Sequence, residues 1–410
     1  MKITAIEPFV CDGGLRQFGF LKVTTDEGVV GWSEIYDFTA IASLATAIRV
    51  IGQEFIGMDP RRIEWFNERM WYLARPGIPE RIKVLAAIDM ALWDIKGKWL
   101  GVPVYELLGG KFHDRLKLYW SHFASYRGTW PEIVGAEPQT TYTAWAEGAR
   151  DVVAQGYKVL KTNLIQEARN GRKPGFPDYR DGLITTDTLD QAVAWVGTIR
   201  DVVGPDIGIS VDVQFEYRMG GIVQLARAME QFDLYWLEVE DLDAEALLAA
   251  RQQTTTRFCH GESLFRRDQF RPFFQNHVTD VVMIETLSNG VAETRRIAEM
   301  AELYDVMVSP HNWMGPLCTM INAQLCAALP NFEILEIDID DVPWKMDLLT
   351  EPYVIENGEL IVPDRPGWGS DINEDVVRAH PLPPDKLAGV DPGWFKASAT
   401  SGRAAGSGAA

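Results

Sequence analysis

Residues 207–239 read IGISVDVQFEYRMGGIVQLARAMEQFDLYWLEV and contain one complete repeat of the pattern from which we predict the fold. An apolar run ends near Asp212, and a second apolar run ends near Glu238. The interval between them has room for a turn, a helix and a loop, because a crossover needs at least ~10–12 residues. The period recurs downstream, with gaps of 26, 24, 23, 26 and 25 residues between six polar side chains. These side chains are Asp212, Glu238, Glu262, Glu285, His311 and Glu336.

This period predicts consecutive β/α units with one polar side chain at the C-terminal end of each strand. In a closed parallel barrel those ends meet at one mouth. Five carboxyl groups and one imidazole at the same mouth would repel each other unless a positive charge lies among them. Asp212, Glu238 and Glu262 lie on three successive strands, and such hard oxygen ligands suit Mg²⁺. Zn²⁺ would usually recruit His or Cys.

The N-terminal part, residues 1–115, has a different pattern that predicts an α+β unit. Three strands are expected first, and Asp26, Glu27 and Gly28 form a hairpin turn signal between the second and the third. A helix is expected from Glu80 onward, because apolar residues recur there with the spacing of one buried face. The strands are ITAIEPFVC (3–11), FGFLKVTT (18–25) and VVGWSEI (29–35), and the helical face is Val84, Ile88, Ala91, Leu92 and Ile95.

Residues 116–345 are predicted to form the barrel, beginning with the strands LKLYWSHF (116–123) and GYKVLKTN (156–163). The gap between Lys161 and Asp212 is about twice the repeat. Its excess is the stretch 166–181, rich in Gly, Pro and charge, which is either a lid over the mouth or a surface insertion. Two C-terminal parts follow: residues 346–390, expected to pack back on the N-terminal unit, and residues 391–410, expected to be a tail.

Composition excludes several classes of partner. The net charge of −19 argues against nucleic acid, which needs a basic footprint, and against an anionic membrane surface.

Four Cys without CxxC spacing are expected to be buried free thiols, as in the cytosol. The start MKITAIEPFV is strand-like rather than a signal peptide, and no apolar run approaches the ~18 residues of a membrane span. A cytoplasmic, soluble protein is expected.

The order of these residues resembles a known family. Lys161, then Asp212, Glu238 and Glu262 in GES, then His311 in SPHN, is similar to the enolase superfamily. The mandelate racemase subgroup, and within it the acid-sugar dehydratases such as galactonate dehydratase, is the most similar. AAIDMALWDIKGKWLGVPVYELLGG (86–110) resembles the end of the family's capping domain, and IVPDRPGWG (361–369) resembles its C-terminal signature.

The resemblance implies an α/β fold in which an α+β capping domain covers a modified TIM barrel, (β/α)7β. It implies Mg²⁺ held by Asp212, Glu238 and Glu262, and a small-molecule carboxylate as substrate. The shared chemistry is abstraction of the proton α to that carboxylate, with the metal stabilising the enediolate. Members are often homo-oligomers, so a homo-oligomer is expected.

The resemblance also implies roles for the other site residues. His311 is the general base, and Glu285 stands where the family has an Asp that hydrogen-bonds this His. Lys161 is expected to contact the substrate carboxylate. Glu336 is expected to donate a hydrogen bond to the enediolate in its protonated form, since a carboxyl buried near other carboxylates has a raised pKa.

Two departures from the family pattern bear on the reaction. Asn163 stands where the family usually has a second Lys, the base for the opposite face, and an amide cannot take a proton. Gln214 stands where galactonate dehydratases have a His. A site with one base favours β-elimination over racemisation. The acid for the leaving hydroxyl is then His311 itself as first choice, with His122 and Glu216 as alternatives.

Substrate contacts are expected from capping-domain loops and from the loop after His311. Arg16 would suit polyhydroxylated acids or diacids, whereas Trp313, with Phe18 and Tyr36, would suit smaller and more apolar acids. The predicted function is an Mg²⁺-dependent dehydratase that converts an aldonate-type sugar acid to a 2-keto-3-deoxy acid. An epimerase or racemase of the same subgroup and a non-catalytic binding homologue are the alternatives.

Overall fold

The computed structural model describes residues 1–37, 41–74, 78–137, 139–167, 182–213 and 216–384. Gln214, most of the expected lid and the expected tail lie outside these ranges. The chain begins with an antiparallel sheet of three strands, as predicted, with Gly28 (φ 78°) in the turn between the second and third. The strands are β1 (Ile3–Asp12), β2 (Gln17–Thr25) and β3 (Val30–Ile35).

Helices cover one face of this sheet. The longest of them begins with Pro at its first turn and ends at Gly101, whose left-handed conformation (φ 71°) stops the helix. Its predicted apolar face is buried, as the i, i+4, i+7 spacing requires. The helices are α1 (Ile41–Ile51), α2 (Ile63–Ala74), α3 (Pro79–Leu100) and α4 (Val104–Leu107), with a 3₁₀ turn at Gly52–Phe55.

A parallel barrel follows, which confirms the fold class. Each strand pairs with the next, and the last returns to the first through Leu335–Leu118 and Glu336–Tyr119. A bridge between Val308 and Phe332 completes the ring. Within the described ranges the strands are β4 (Arg115–Trp120), β5 (Val159–Asn163), β6 (Gly208–Asp212), β7 (Trp236–Glu238), β8 (Phe258–His260), β9 (Val281–Val282), β10 (Met307–Val308) and β11 (Leu335–Ile337).

One main helix stands between each pair of successive barrel strands, giving the (β/α)7β order. Two short helices precede the first of these main helices. The set is α5 (Ser125–Thr129), α6 (Pro131–Val134), α7 (Tyr142–Ala154), α8 (Thr186–Val203), α9 (Met219–Met229), α10 (Ala244–Arg251), α11 (Arg266–Gln275), α12 (Thr286–Glu302) and α13 (Pro316–Ala327), with a 3₁₀ turn at Glu230–Phe232.

Part of the C-terminal segment packs on the capping domain at Asp94 of α3, whereas its hairpin pairs with the barrel strand β4, with Leu360 opposite Leu116. The Asp94 carboxylate accepts hydrogen bonds from the backbone N–H of Trp32 (2.8 Å) and of Trp368 (2.9 Å). A Cβ on Gly367 would lie 2.1 Å from Asp94 Oδ1, so this close approach requires glycine. The segment contains a 3₁₀ turn (Lys345–Leu348), β12 (Val354–Glu356), β13 (Glu359–Ile361) and α14 (Glu374–Ala379). The exact domain boundaries stay a prediction.

Replacing Asp94 by Asn is expected to lower the free energy of unfolding by about 2–3 kcal/mol, because a buried backbone N–H loses its acceptor. Asp94 is fully buried, and Lys98 Nζ also donates to it at 2.6 Å. Urea unfolding followed by tryptophan fluorescence measures the loss. Asp151→Asn, an exposed position on α7, is the matched control and should leave the midpoint unchanged. Equal stability of the two variants would contradict the role of Asp94.

The polar anchors between the capping domain and the barrel lie close to the barrel mouth. Asp89 on α3 accepts from the backbone N–H of Val291 (2.8 Å) where α12 bends at Gly290. Glu34 on β3 accepts from the N–H of Gly315 (2.5 Å) and Cys318 (2.8 Å) at the start of α13. The elements that carry Glu285 and His311 are therefore fixed by the capping domain.

Two further expectations concern the whole chain. The four Cys are buried and unpaired, as predicted. Among the described residues, no helix combines the length and the apolar character that crossing a bilayer requires.

Candidate active site

The six periodic side chains lie at the C-terminal ends of their strands, as predicted. Asp212 and Glu238 are the last residues of β6 and β7 and are direct neighbours in the sheet register. Glu336 lies within β11. The other three follow their strands by two or three residues: Glu262 after β8, Glu285 after β9 and His311 after β10.

Lys161, on β5, places its ammonium group among three of these carboxylates. Nζ lies 3.0 Å from Glu238 Oε1, 2.8 Å from Glu336 Oε1 and 3.6 Å from Asp212 Oδ2. Burial alone would lower the pKa of Lys161, but Glu238 and Glu336 raise it well above its usual value. Lys161 is therefore a positive charge paired with three carboxylates rather than a free base.

The Glu336 carboxylate has surroundings that differ from those expected. Burial raises its pKa, but Lys161, His311 and His122 oppose that effect and lower the pKa to about 2. Its carboxylate accepts from Ser121 Oγ (2.5 Å) and from the backbone N–H of Asn312 (2.8 Å). These contacts favour an ionised Glu336 that accepts hydrogen bonds, whereas the sequence led us to expect a protonated, hydrogen-donating carboxyl, because it does not show how many donors face this side chain.

His311 lies between two carboxylates. Its Nδ1 is 2.7 Å from Glu285 Oε2, and its Nε2 is 3.1 Å from Glu262 Oε2. Burial alone would lower the pKa of His311, but Glu262 and Glu285 raise it to about 10. Glu285 Oε1 also accepts from the N–H of Leu287 (2.7 Å) and so caps α12. The longer Glu side chain thus reaches His311 while its other oxygen is held by the helix.

The carboxylate cluster fits a divalent cation chemically. Five carboxylates, four of them buried and that of Glu262 half-buried, lie around Lys161 and His311, and His122 also faces Glu336. Burial and the neighbouring Asp212 raise the pKa of Glu238 well above its usual value. Glu262 Oε2 is buried and accepts no hydrogen bond from the described residues. These features suit a hard cation held by oxygen ligands. In the described ranges, however, no three such side chains converge as a ready metal cage.

A second group of residues lines the mouth beside His311. The Trp313 ring lies 6.2 Å from that of His311 and 6.1 Å from that of His122. The Arg16 guanidinium stacks over Trp313 at 4.6 Å and donates to Asp338 Oδ2 at 2.7 Å. The structure therefore brings together the predicted residues Arg16, His122 and Trp313.

Comparison with known proteins identifies the family. Residues 144–376, more than half of the chain, match the family model "Enolase C-terminal domain-like". Residues 12–109 match "Mandelate racemase / muconate lactonizing enzyme, N-terminal domain". The chain belongs to the enolase superfamily.

Individual members of the enolase superfamily are similar over nearly the whole chain. D-gluconate dehydratase of Thermoproteus tenax is 31% identical over 96% of this chain and 77% of its own length. D-galactonate dehydratase of Ralstonia nicotianae is 31% identical over 87% of this chain and 89% of its own. A Burkholderia xenovorans structure, provisionally named L-alanine-DL-glutamate epimerase and bound to magnesium and fumarate, has a TM-score of 0.90 at 34% identity, covering 97% of this chain and 99% of its own.

Asn163 stands where the resemblance to the family implies a second Lys. Asn163 ends β5 beside Asp212, and its amide oxygen accepts from Ser125 Oγ at 3.1 Å. Lys158 lies three residues before Lys161 and is exposed, as its strand position predicts. Glu216 is half-buried, two residues after the undescribed Gln214.

Two supporting carboxylates were not identified from the sequence. Glu240 accepts from the N–H of Gly261 (2.6 Å) and Glu262 (3.1 Å), and so fixes the turn that carries Glu262. Asp338 binds Arg16 and His122. Each lies two residues after a predicted site residue, Glu238 or Glu336. The period of two along a strand was the signal that could have found them.

Proposed function

We propose that this protein is an Mg²⁺-dependent dehydratase of a sugar acid, a carbon–oxygen hydro-lyase that forms a 2-keto-3-deoxy acid. The observation that carries the proposal is the His311–Glu285 pair beside the carboxylate cluster, with Asn163 rather than a lysine at the end of β5. The dehydratase names of the relatives support the same reaction class.

Each protein group has a role in this reaction that follows from its contacts. Glu285 accepts from Nδ1 of His311, which fixes the tautomer. The contact with Glu262, which raises the pKa of His311 to about 10, would weaken if Glu262 held a cation, and a neutral His311 could then take the C2 proton at Nε2. Lys161, held charged by Glu238 and Glu336, supplies positive potential where the substrate carboxylate gains charge. Glu336 accepts from Ser121 Oγ and lies 2.8 Å from Lys161 Nζ, so its role here is to orient these two groups.

Asp212, Glu238 and Glu262 would hold Mg²⁺, which when bound supplies Lewis-acid stabilisation of the developing enediolate. Glu240 supports this set by fixing the Glu262 turn. Since Glu262 also contacts His311 Nε2, the metal-ligand set and the base adjoin within the same mouth.

The surroundings of Arg16 favour a polyhydroxylated monoacid over a diacid. The guanidinium charge is already paired with Asp338, and Nε lies 3.5 Å from Asp341 Oδ2. A second substrate carboxylate would have to compete with both groups. The buried Nη1 has no hydrogen-bond partner among the described residues, and a substrate hydroxyl could accept from it.

The direct test is turnover of a library of acid sugars, with formation of 2-keto acids as the measured product. We expect aldonates with five or six carbons to be converted in the presence of Mg²⁺, and activity to be lost in EDTA and restored by added Mg²⁺. Diacids of the same length should react more slowly. Full activity in EDTA, or no turnover of any acid sugar, would contradict the proposal.

Epimerisation is the second candidate function, because His122 supplies a second imidazole at the mouth and one structural neighbour carries an epimerase name. In D₂O, an epimerase would incorporate deuterium at C2 and invert configuration without forming a 2-keto acid. The same library assay therefore separates the two functions.

A further inference from the structure

The backbone of His122 is held in an unusual conformation. The residue follows β4 by two positions and has a φ of 50°, in the left-handed region that non-glycine residues rarely adopt. Ser125 Oγ donates to the His122 carbonyl at 2.9 Å and holds the turn. Such strained residues persist where surrounding contacts over-determine them, and they cluster at functional sites.

The His122 side chain is held as firmly as its backbone. Its Nδ1 lies 2.9 Å from Asp338 Oδ1, and its ring stacks on Tyr126 with centroids 4.5 Å apart and planes 9° apart. Asp338 is held in turn by Arg16 at 2.7 Å. Since a carboxylate binds Nδ1, the other ring nitrogen, Nε2, is the one that can face a ligand.

His122 and His311 flank the same indole. Their ring centroids lie 6.1 Å and 6.2 Å from that of Trp313. Each imidazole has a carboxylate at Nδ1, Asp338 for one and Glu285 for the other. A sugar acid lying against Trp313 would therefore be within reach of two oriented imidazoles, although base chemistry at C2 uses only one.

We propose that His122 is the general acid that protonates the departing C3 hydroxyl, and that Asp338 is its positioning residue. This proposal rests on the proposed dehydratase function. It accounts for the acid at a site where Gln214 replaces the His of galactonate dehydratases. In this proposal, Arg16 holds Asp338 and Asp338 holds His122, so both contacts orient the acid.

The proton and electron movements balance without a further reactant. The C2–H bond breaks, its proton goes to His311 Nε2, and its electron pair forms the enediolate. The C3–O bond then breaks as C2=C3 forms, and the leaving oxygen takes the proton of His122 Nε2 and departs as water. The enol ketonises by gaining a proton at C3 and losing its hydroxyl proton. Solvent reprotonates His122 and deprotonates His311.

The test separates proton abstraction from elimination. His122→Asn is the chosen variant, because Asn tolerates a positive φ and should preserve the turn. In D₂O with Mg²⁺ and an aldonate that the wild type converts, we expect 2-keto acid formation to fall by about 10²–10³-fold, in the range of general-acid catalysis. Exchange of the C2 proton, which needs only His311, should stay close to the wild-type rate or increase.

A 3-deoxy-3-fluoro analogue of the same aldonate provides the second readout. Fluoride leaves as an anion without an added proton, so His122→Asn and Asp338→Asn should both eliminate fluoride near the wild-type rate. His277→Asn is the matched control: it has the same φ of 50° and a nearby aromatic ring, Tyr304, but lies after α11. It should leave both reactions unchanged.

Three outcomes would overturn the assignment of His122. If 2-keto acid formation is unchanged in His122→Asn, the acid is His311 or Glu216. If C2 exchange and elimination fall together, His122 only positions substrate. If the fluoro analogue is not rescued, proton donation is not the lost step. If the proposed dehydratase function is wrong, the wild type itself will form no 2-keto acid. This result is distinct from the three outcomes above, in which the wild type is active.

Discussion

His311→Asn is expected to abolish both C2 proton exchange and 2-keto acid formation, each by at least about 10³-fold. Among the described residues, His311 places its Nε2 at the carboxylate cluster, 3.1 Å from Glu262 Oε2. Lys161 cannot replace it, because three carboxylates keep that ammonium charged. Asn163 cannot replace it either, since an amide does not accept a proton. Deuterium exchange at C2, followed by NMR, measures the first step directly.

Glu285, the hydrogen-bond partner of His311, provides a variant with a smaller expected loss of activity. Glu285→Gln keeps the hydrogen-bonding shape at His311 Nδ1 but removes the negative charge that stabilises the imidazolium. We expect an intermediate loss, about 10-fold to 10²-fold, in exchange and elimination alike. Retention of C2 exchange in His311→Asn would contradict the mechanism, even if elimination were lost.

The structure shows why the sequence predicted the barrel well. Asp212, Glu238 and Glu336 lie on strands whose period follows from the length of a β/α unit, and this length is a local property of the chain. The buried face of α3 is equally local, because residues three and four apart share a side of a helix. Such features need no knowledge of distant contacts.

The features that the sequence did not reveal all depend on contacts between distant segments. The pKa of Glu336 depends on Lys161, far away in the sequence, and on His122 at the end of another strand. Arg16 was expected to contact substrate, and the sequence did not indicate that Asp338 and Asp341 pair with it across the capping–barrel interface. Periodicity places a side chain at the mouth; it does not specify its neighbours there.

Lys161→Met is expected to have the largest effect on stability. Its ammonium group lies within 3.6 Å of Asp212, Glu238 and Glu336, and all four side chains are almost wholly buried. Removing one partner from a buried charge cluster leaves the remaining charges uncompensated, which typically costs about 3–5 kcal/mol. In EDTA, we expect the variant to unfold at a markedly lower urea concentration than the wild type.

Magnesium should reverse part of this loss, because a divalent cation held by Asp212, Glu238 and Glu262 would neutralise the same carboxylates. A ligand that binds only the folded state stabilises it, and the shift in urea midpoint on adding Mg²⁺ should be larger for Lys161→Met than for the wild type. Lys158→Met is the matched control, three residues earlier and exposed, and its free energy of unfolding should change by less than about 0.5 kcal/mol in either condition. If Lys161→Met were as stable in EDTA as Lys158→Met, the carboxylate cluster would not need the positive charge of Lys161. If Mg²⁺ shifted neither protein, these carboxylates would not be the metal site.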